Sequence, residues 1–162
     1  MDFSFTDLPQ SWWHAWEQIW HLFVAFILVV PIGWDREQRD YSAGVRTFPI
    51  VSMASCVILM IGQSIADGQP EAEARALYGV VTGMGFLGAG AILKEGQHVR
   101  GLTTAASLWA TAAVGLAVAA DEFVLAVVLA MTNFVLLKAK HGNSDPDQPP
   151  KRRHEAASDS PS

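Results

Sequence analysis

The chain has little of what reactive chemistry uses. It holds one cysteine, Cys56, in 162 residues, so no internal disulfide can form and no cysteine-rich metal site can be built. A lone cysteine in an apolar run reads as a small buried side chain. Charge is sparse: charged residues make up 17% against 51% hydrophobic, too apolar a balance for an ordinary soluble domain. Lys and Arg number 11 against 16 Asp and Glu, and no basic patch is interleaved with aromatics, so nucleic acid is excluded as a partner. The opening MDFSFTDLPQ carries two acids and no base, the wrong polarity for a signal peptide, and the first hydrophobic helix is expected to stay in the mature protein. No H-E-x-x-H, G-x-S-x-G or phosphate-loop signature occurs. An enzyme is therefore not expected, nor a cofactor, and no set of metal ligands can be assigned.

What is present is a series of apolar runs of about 15 to 20 residues separated by clustered charges, long enough to cross a hydrocarbon core of about 30 Å. The fold class expected is all-α, a polytopic membrane bundle of about five helices. Tryptophans favour the headgroup region, so Trp12, Trp13, Trp16 and Trp20 at one end and Trp34 at the other bracket a first span near residues 13–34. Pro31 is expected to kink its far end. Thr47 is a candidate N-cap and Pro49 suits the first turn of a second span, 48–66. Further spans are expected at 75–93, 102–120 and 123–137. Residues 1–12 read as an interfacial lead-in and 13–140 as the transmembrane domain. Residues 141–162, rich in Pro, Asp and Ser with almost nothing apolar, read as a disordered cytoplasmic tail. With alternating loops, ten of the eleven Lys and Arg fall on one side and only Arg75 on the other. By the positive-inside rule the N-terminus is outside and the C-terminus inside.

Glycine is concentrated in one place. Gly79, Gly83, Gly85, Gly88 and Gly90 lie in the third span, and at about 100° per residue Gly79, Gly83 and Gly90 share a face while Gly85 and Gly88 lie opposite. A helix bare on two faces can be approached closely on both, so the third span is expected to be the centre of the bundle. Gly79-x-x-x-Gly83 is read first as packing within the chain and second as a homo-oligomer contact. Gly83-Met84-Gly85-Phe86-Leu87-Gly88 matches the dinucleotide pattern, but no strand precedes it and no ribose-binding acid follows, so nucleotide is not expected.

The densest charge cluster is Asp35, Arg36, Glu37, Arg39 and Arg46. A topology signal needs only the bases. Acids of opposite sign at the same level point to a structured polar site on the cytoplasmic face. The alternating topology brings this cluster to the same side as Arg100, Thr103 and Thr104, and the helix starts at Thr47 and near Thr103 add partial positive charge there. Asp35 and Glu37 would then be held by Arg46 and Arg100. Thr104, Ser107 and Thr111 share a face of the fourth span and read either as interhelical glue or as the lining of a polar pocket. Asn133 in the fifth span reads as glue.

Three segments together, Asp35-Arg36-Glu37 with Ala43 to Thr47, Gly85 to Ile92, and Val99 to Trp109, resemble the MgtC/SapB family of bacterial inner-membrane proteins. The resemblance covers about residues 15–138, and the third segment is its most specific part. Asp35, Arg36, Glu37, Gly44, Arg46, Thr47, Gly88, Gly90, Gly101, Thr103, Thr104 and Trp109 match the family's pattern. The resemblance implies an accessory or regulatory protein of the inner membrane, linked to magnesium limitation or stress adaptation. Its partners would be the lipid bilayer and other membrane proteins, the F-type ATP synthase or a transporter among them. Transport of a small ion or solute is the alternative. Virulence-type members carry a soluble domain after the last helix. Here only Lys140–Ser162 follows, so nothing belonging to that domain is carried over.

The topology is open to direct measurement. A reporter fused after Ala139 is expected to behave as cytoplasmic and one inserted at Gly68 as external. An external signal from the first fusion would overturn the five-span orientation.

Overall fold

The computed structural model describes residues 8–37, 43–95 and 98–139. It is an all-α membrane helix bundle: α1 (Leu8–Glu37), α2 (Thr47–Ala66), α3 (Pro70–Gly90), α4 (Leu102–Ala119) and α5 (Phe123–Ala139). Among the described residues three stretches are long and apolar enough to cross a membrane, Trp12–Glu37, Thr47–Ala66 and Leu102–Ala119. α5 is apolar but shorter, at 17 residues. α3 starts earlier than expected, because Pro70 fits a first helical turn and Glu71 and Glu73 lie where the dipole favours acids. Arg39 and the tail from Lys140 onward fall outside the described residues, as do residues 1–7.

Two local expectations are corrected. α1 runs past residue 34, the expected end of the first span, so that Asp35, Arg36 and Glu37 form its last turn. The basic connection between α3 and α4 is an antiparallel hairpin of β1 (Leu93–Glu95) and β2 (His98–Arg100), with Leu93 opposite Arg100 and Lys94 opposite Val99. Two short runs of apolar and charged residues either side of Gly96-Gln97 carry a hairpin signal.

The centre of the bundle is α4, not α3. Eleven of the 18 residues of α4 are buried, against three of the 21 in α3. α4 packs against all four other helices, and α2 against α1, α3 and α4. The reason is side-chain size. α4 carries seven alanines, one glycine and no charge, so neighbouring backbones approach it from several directions. The tightest approach is at Gly115, where an added Cβ would run into the carbonyl oxygen of Ser52 in α2. Gly101, which leads into α4, needs glycine for a second reason: its φ is +85°, and a Cβ there would collide with the carbonyl of Ala91.

In the third helix the expectation fails in detail. A Cβ at Gly79, Gly83, Gly85 or Gly90 would meet open space, and only Gly88 reaches a neighbour, Ala105 of α4 at 3.8 Å. Phe86 and Tyr78 are also exposed. Within the chain Gly79, Gly83, Gly85 and Gly90 are not packing positions, whereas Gly88 is buried against α4. α1 follows its pattern closely: His21, Ala25, Val29, Ile32 and Arg36 are buried at helical spacing, while the tryptophans face outward. Ser52 ties α2 to α1 by donating to the carbonyl of Ala25 at 3.0 Å. Cys56 is fully buried.

Gly115→Ala is expected to destabilise the protein by roughly 1–3 kcal/mol through overpacking. Gly83→Ala is expected to be neutral or stabilising by up to about 1 kcal/mol, the helix-propensity gain. Thermal unfolding in detergent checks both, and the opposite ranking would restore α3 to the centre.

Candidate functional site

One end of the bundle gathers the end of α1, the start of α2, the β-hairpin and the start of α4. Arg36 lies on the buried stripe of α1, one turn beyond Ile32, so its helix carries the guanidinium inward. It is 4% exposed, and its Nη2 donates to Thr104 Oγ1 at 2.6 Å. Thr104 is buried in the first turn of α4. Guanidinium is charged at any physiological pH, so this is a buried cation held by a hydroxyl oxygen at a helix boundary. Asp35, Arg100, Gly101 and Thr103 are engaged in noncovalent contacts as well, Arg36 in more than the one named.

Glu37 works on the backbone. Its Oε2 accepts from the Val45 N–H at 2.8 Å, fixing the chain as it enters α2. The Thr47 and Phe48 N–H groups donate to the Gly44 carbonyl, closing the first turn there. Thr47 is therefore the first helical residue and not the N-cap. Arg46 occupies the cap position with φ −87° and makes no side-chain cap. The contacts named at this end are thus Arg36–Thr104 and Glu37–Val45, beside those of Asp35, Arg100, Gly101 and Thr103.

Ser107 belongs to a different cluster. Its Oγ donates to Asn133 Oδ1 at 2.9 Å, and Asn133 Nδ2 and Thr111 Oγ1 both donate to the Ser107 carbonyl, at 3.3 and 2.8 Å. Ser107 and Asn133 thus tie α4 to α5, while Thr111 bonds back within its own helix. A further polar contact carried no recognised motif. At the other end of α1, His21 Nε2 lies 2.8 Å from Asp121 Oδ1 in the α4–α5 turn. The alternating topology put both residues on one side, which was the available signal. Among the described residues no three His, Cys, Asp or Glu converge as metal ligands.

Five helices, three of them with stretches long and apolar enough to cross a membrane, and a buried, hydroxyl-bound arginine at one end define an integral membrane protein. Residues 22–144 match the MgtC family, and the chain belongs to that family. It is 34% identical over 125 residues to protein MgtC of Salmonella typhimurium, covering 75% of this chain and 53% of that protein. It is 33% identical over 131 residues to YhiD of Escherichia coli, named as a candidate magnesium transporter, covering 77% and 61%. An uncharacterized protein of Synechocystis is 39% identical over 99 residues, covering 61% and 42%. The chain thus spans about half the length of the curated relatives it matches. No solved structure matches.

Thr104→Val keeps the shape and removes the acceptor facing a buried cation. It is expected to lower stability by about 1–3 kcal/mol, while Thr104→Ser stays near wild type. Thermal melts of the two variants in the same detergent provide the check.

Proposed function

We propose that this chain is a non-enzymatic accessory protein of the bacterial inner membrane, linked to magnesium limitation or stress adaptation and acting on other membrane proteins. Its working surface is the end that carries Arg36, Thr104, Glu37, Arg100 and Thr103, on the cytoplasmic side. A membrane partner such as the F-type ATP synthase or a transporter is the partner class that the family resemblance implies. The observation that carries this reading is the buried Arg36–Thr104 contact. A cation removed from water is costly unless fixed by partners, and here it joins the end of α1 to the start of α4 beside two connecting segments. A rigid, preorganised polar end suits recognition of a partner.

Transport is the second reading, and one observation favours it: Thr104, Ser107 and Thr111 form a buried hydroxyl ladder along α4. Against it, Ser107 and Thr111 donate within the protein, to Asn133 and to the Ser107 carbonyl, which fixes both hydroxyls in place between packed helices.

The test is growth under magnesium limitation of a bacterial strain lacking its own MgtC-family protein, with membrane abundance checked by blot. Wild type is expected to restore growth, and Arg36→Ala to fail at normal abundance. Arg46→Ala is expected to be milder, and joint replacement of Lys151, Arg152 and Arg153 by Ala silent. Full complementation by Arg36→Ala would remove the proposed site. Magnesium flux into liposomes holding the purified protein alone would favour transport.

A further inference from the structure

At the end of the bundle opposite Arg36, the chain crosses from α4 to α5 in a very tight turn. The Asp121 N–H donates to the Val118 carbonyl at 3.1 Å and the Glu122 N–H to the Ala117 carbonyl at 2.9 Å. These are the two bonds of a helix-ending motif whose left-handed residue is ordinarily glycine. Here that residue is Asp121, with φ +60°. A side chain kept where glycine is the default has a use, and its carboxylate reaches His21 on α1.

The hydrogen-bond geometry of His21 sets its charge. Nδ1 lies 2.7 Å from the carbonyl oxygen of Glu17, and Nε2 lies 2.8 Å from Asp121 Oδ1. A carbonyl oxygen only accepts, and an ionised carboxylate only accepts. Asp121, 74% exposed at its side chain, presents a carboxylate oxygen to the ring. Two acceptors require two N–H donors, and only the doubly protonated imidazolium supplies both. Neutral imidazole would set one lone pair against another.

We propose that His21 and Asp121 form a proton-dependent clasp that holds the α4–α5 turn against α1 and is released when His21 loses a proton. The surroundings leave this pair in control of the contact. His14 and Glu17 of α1 form their own longer pair at 3.9 Å, and Glu122 adjoins Asp121 in the turn. Neither α2, whose only titratable group is Cys56, nor α4 brings a charge to it. The only charge of α5 is Lys138, at that helix's far end. The Phe123 ring, 5.5 Å from the imidazole, covers it. The clasp contributes while His21 is protonated and Asp121 ionised, and it is lost as pH rises through the deprotonation of His21. Arg36–Thr104, the matching contact between α1 and α4 at the other end, has no such dependence, because guanidinium does not titrate in this range. A loss of protons at one end therefore frees the α4–α5 turn while the other end stays fixed.

The test uses the full chain in lipid nanodiscs, melted at pH 6 and pH 9, together with side-chain nitrogen NMR of histidine-labelled protein. Wild type is expected to melt about 2–4 °C lower at pH 9 than at pH 6. Asp121→Asn, which tolerates the left-handed backbone, is expected to abolish that difference, and His14→Gln to retain it. At pH 6 the His21 ring should show two protonated nitrogens. An unchanged pH difference in Asp121→Asn, its loss in His14→Gln, or a neutral His21 ring at pH 6 would each overturn the clasp.

Discussion

The arrangement depends on how closely another backbone can approach α4. At Gly115 the carbonyl of Ser52 occupies the space where a side chain would begin, and alanines elsewhere along α4 keep its other faces shallow. In a bilayer, lipid tails are as apolar as leucine, so association rests on contact and on interhelical hydrogen bonds more than on expulsion of water. Small residues supply the contact. The hydroxyl and carbonyl of Ser107 bond the amide of Asn133 across to α5, and Ser52 supplies a bond to α1. α1, α2, α3 and α5 are then arranged around α4, and the polar ends of α1 and α4 are brought together.

That juxtaposition explains how an arginine can be buried here. Arg36 follows Ile32 on the inward stripe of α1, where an apolar residue would be the ordinary choice. The helix directs it to the start of α4, where the Thr104 hydroxyl accepts from it. Glu37, one residue on, points elsewhere and fixes the backbone at Val45. Adjacent charges in one helical turn thus take different tasks because successive side chains diverge by about 100°.

Helix number and type were legible because apolar runs and clustered charges leave few alternatives to a membrane bundle. The first span was legible through the tryptophans that bracket it, and Arg36 and Thr104 could be placed on one side by alternation of loops. The central helix was not. Glycine is the more conspicuous small residue, so the five glycines of α3 outweighed the seven alanines of α4, yet alanine permits nearly the same approach without glycine's helix penalty. Exposure of the α3 glycines depends on which helix lies where, and no local pattern encodes that. Arg46 and Arg36 were indistinguishable in a list of charges. Only the continuation of α1 through Glu37 puts one inside and leaves the other at a helix cap. The His21–Asp121 contact joins residues 100 apart, with no periodicity to signal it.

The helices also differ in length, and this bears on the surrounding lipid. α4 and α5, with 18 and 17 residues, rise about 27 and 26 Å, while α1, with 30, rises about 45 Å. A hydrocarbon layer of about 30 Å is therefore thicker than the α4–α5 hairpin and much thinner than α1. Beside α5 the difference is met by thinning of the bilayer or by snorkelling of flanking side chains such as Lys138, while α1 meets its excess by tilting or by extending into the headgroup region. Hydrophobic mismatch thus falls on one flank of the molecule, which makes bilayer thickness, and the chain length of the lipids that set it, a load on the hairpin that α4 shares with the rest of the bundle.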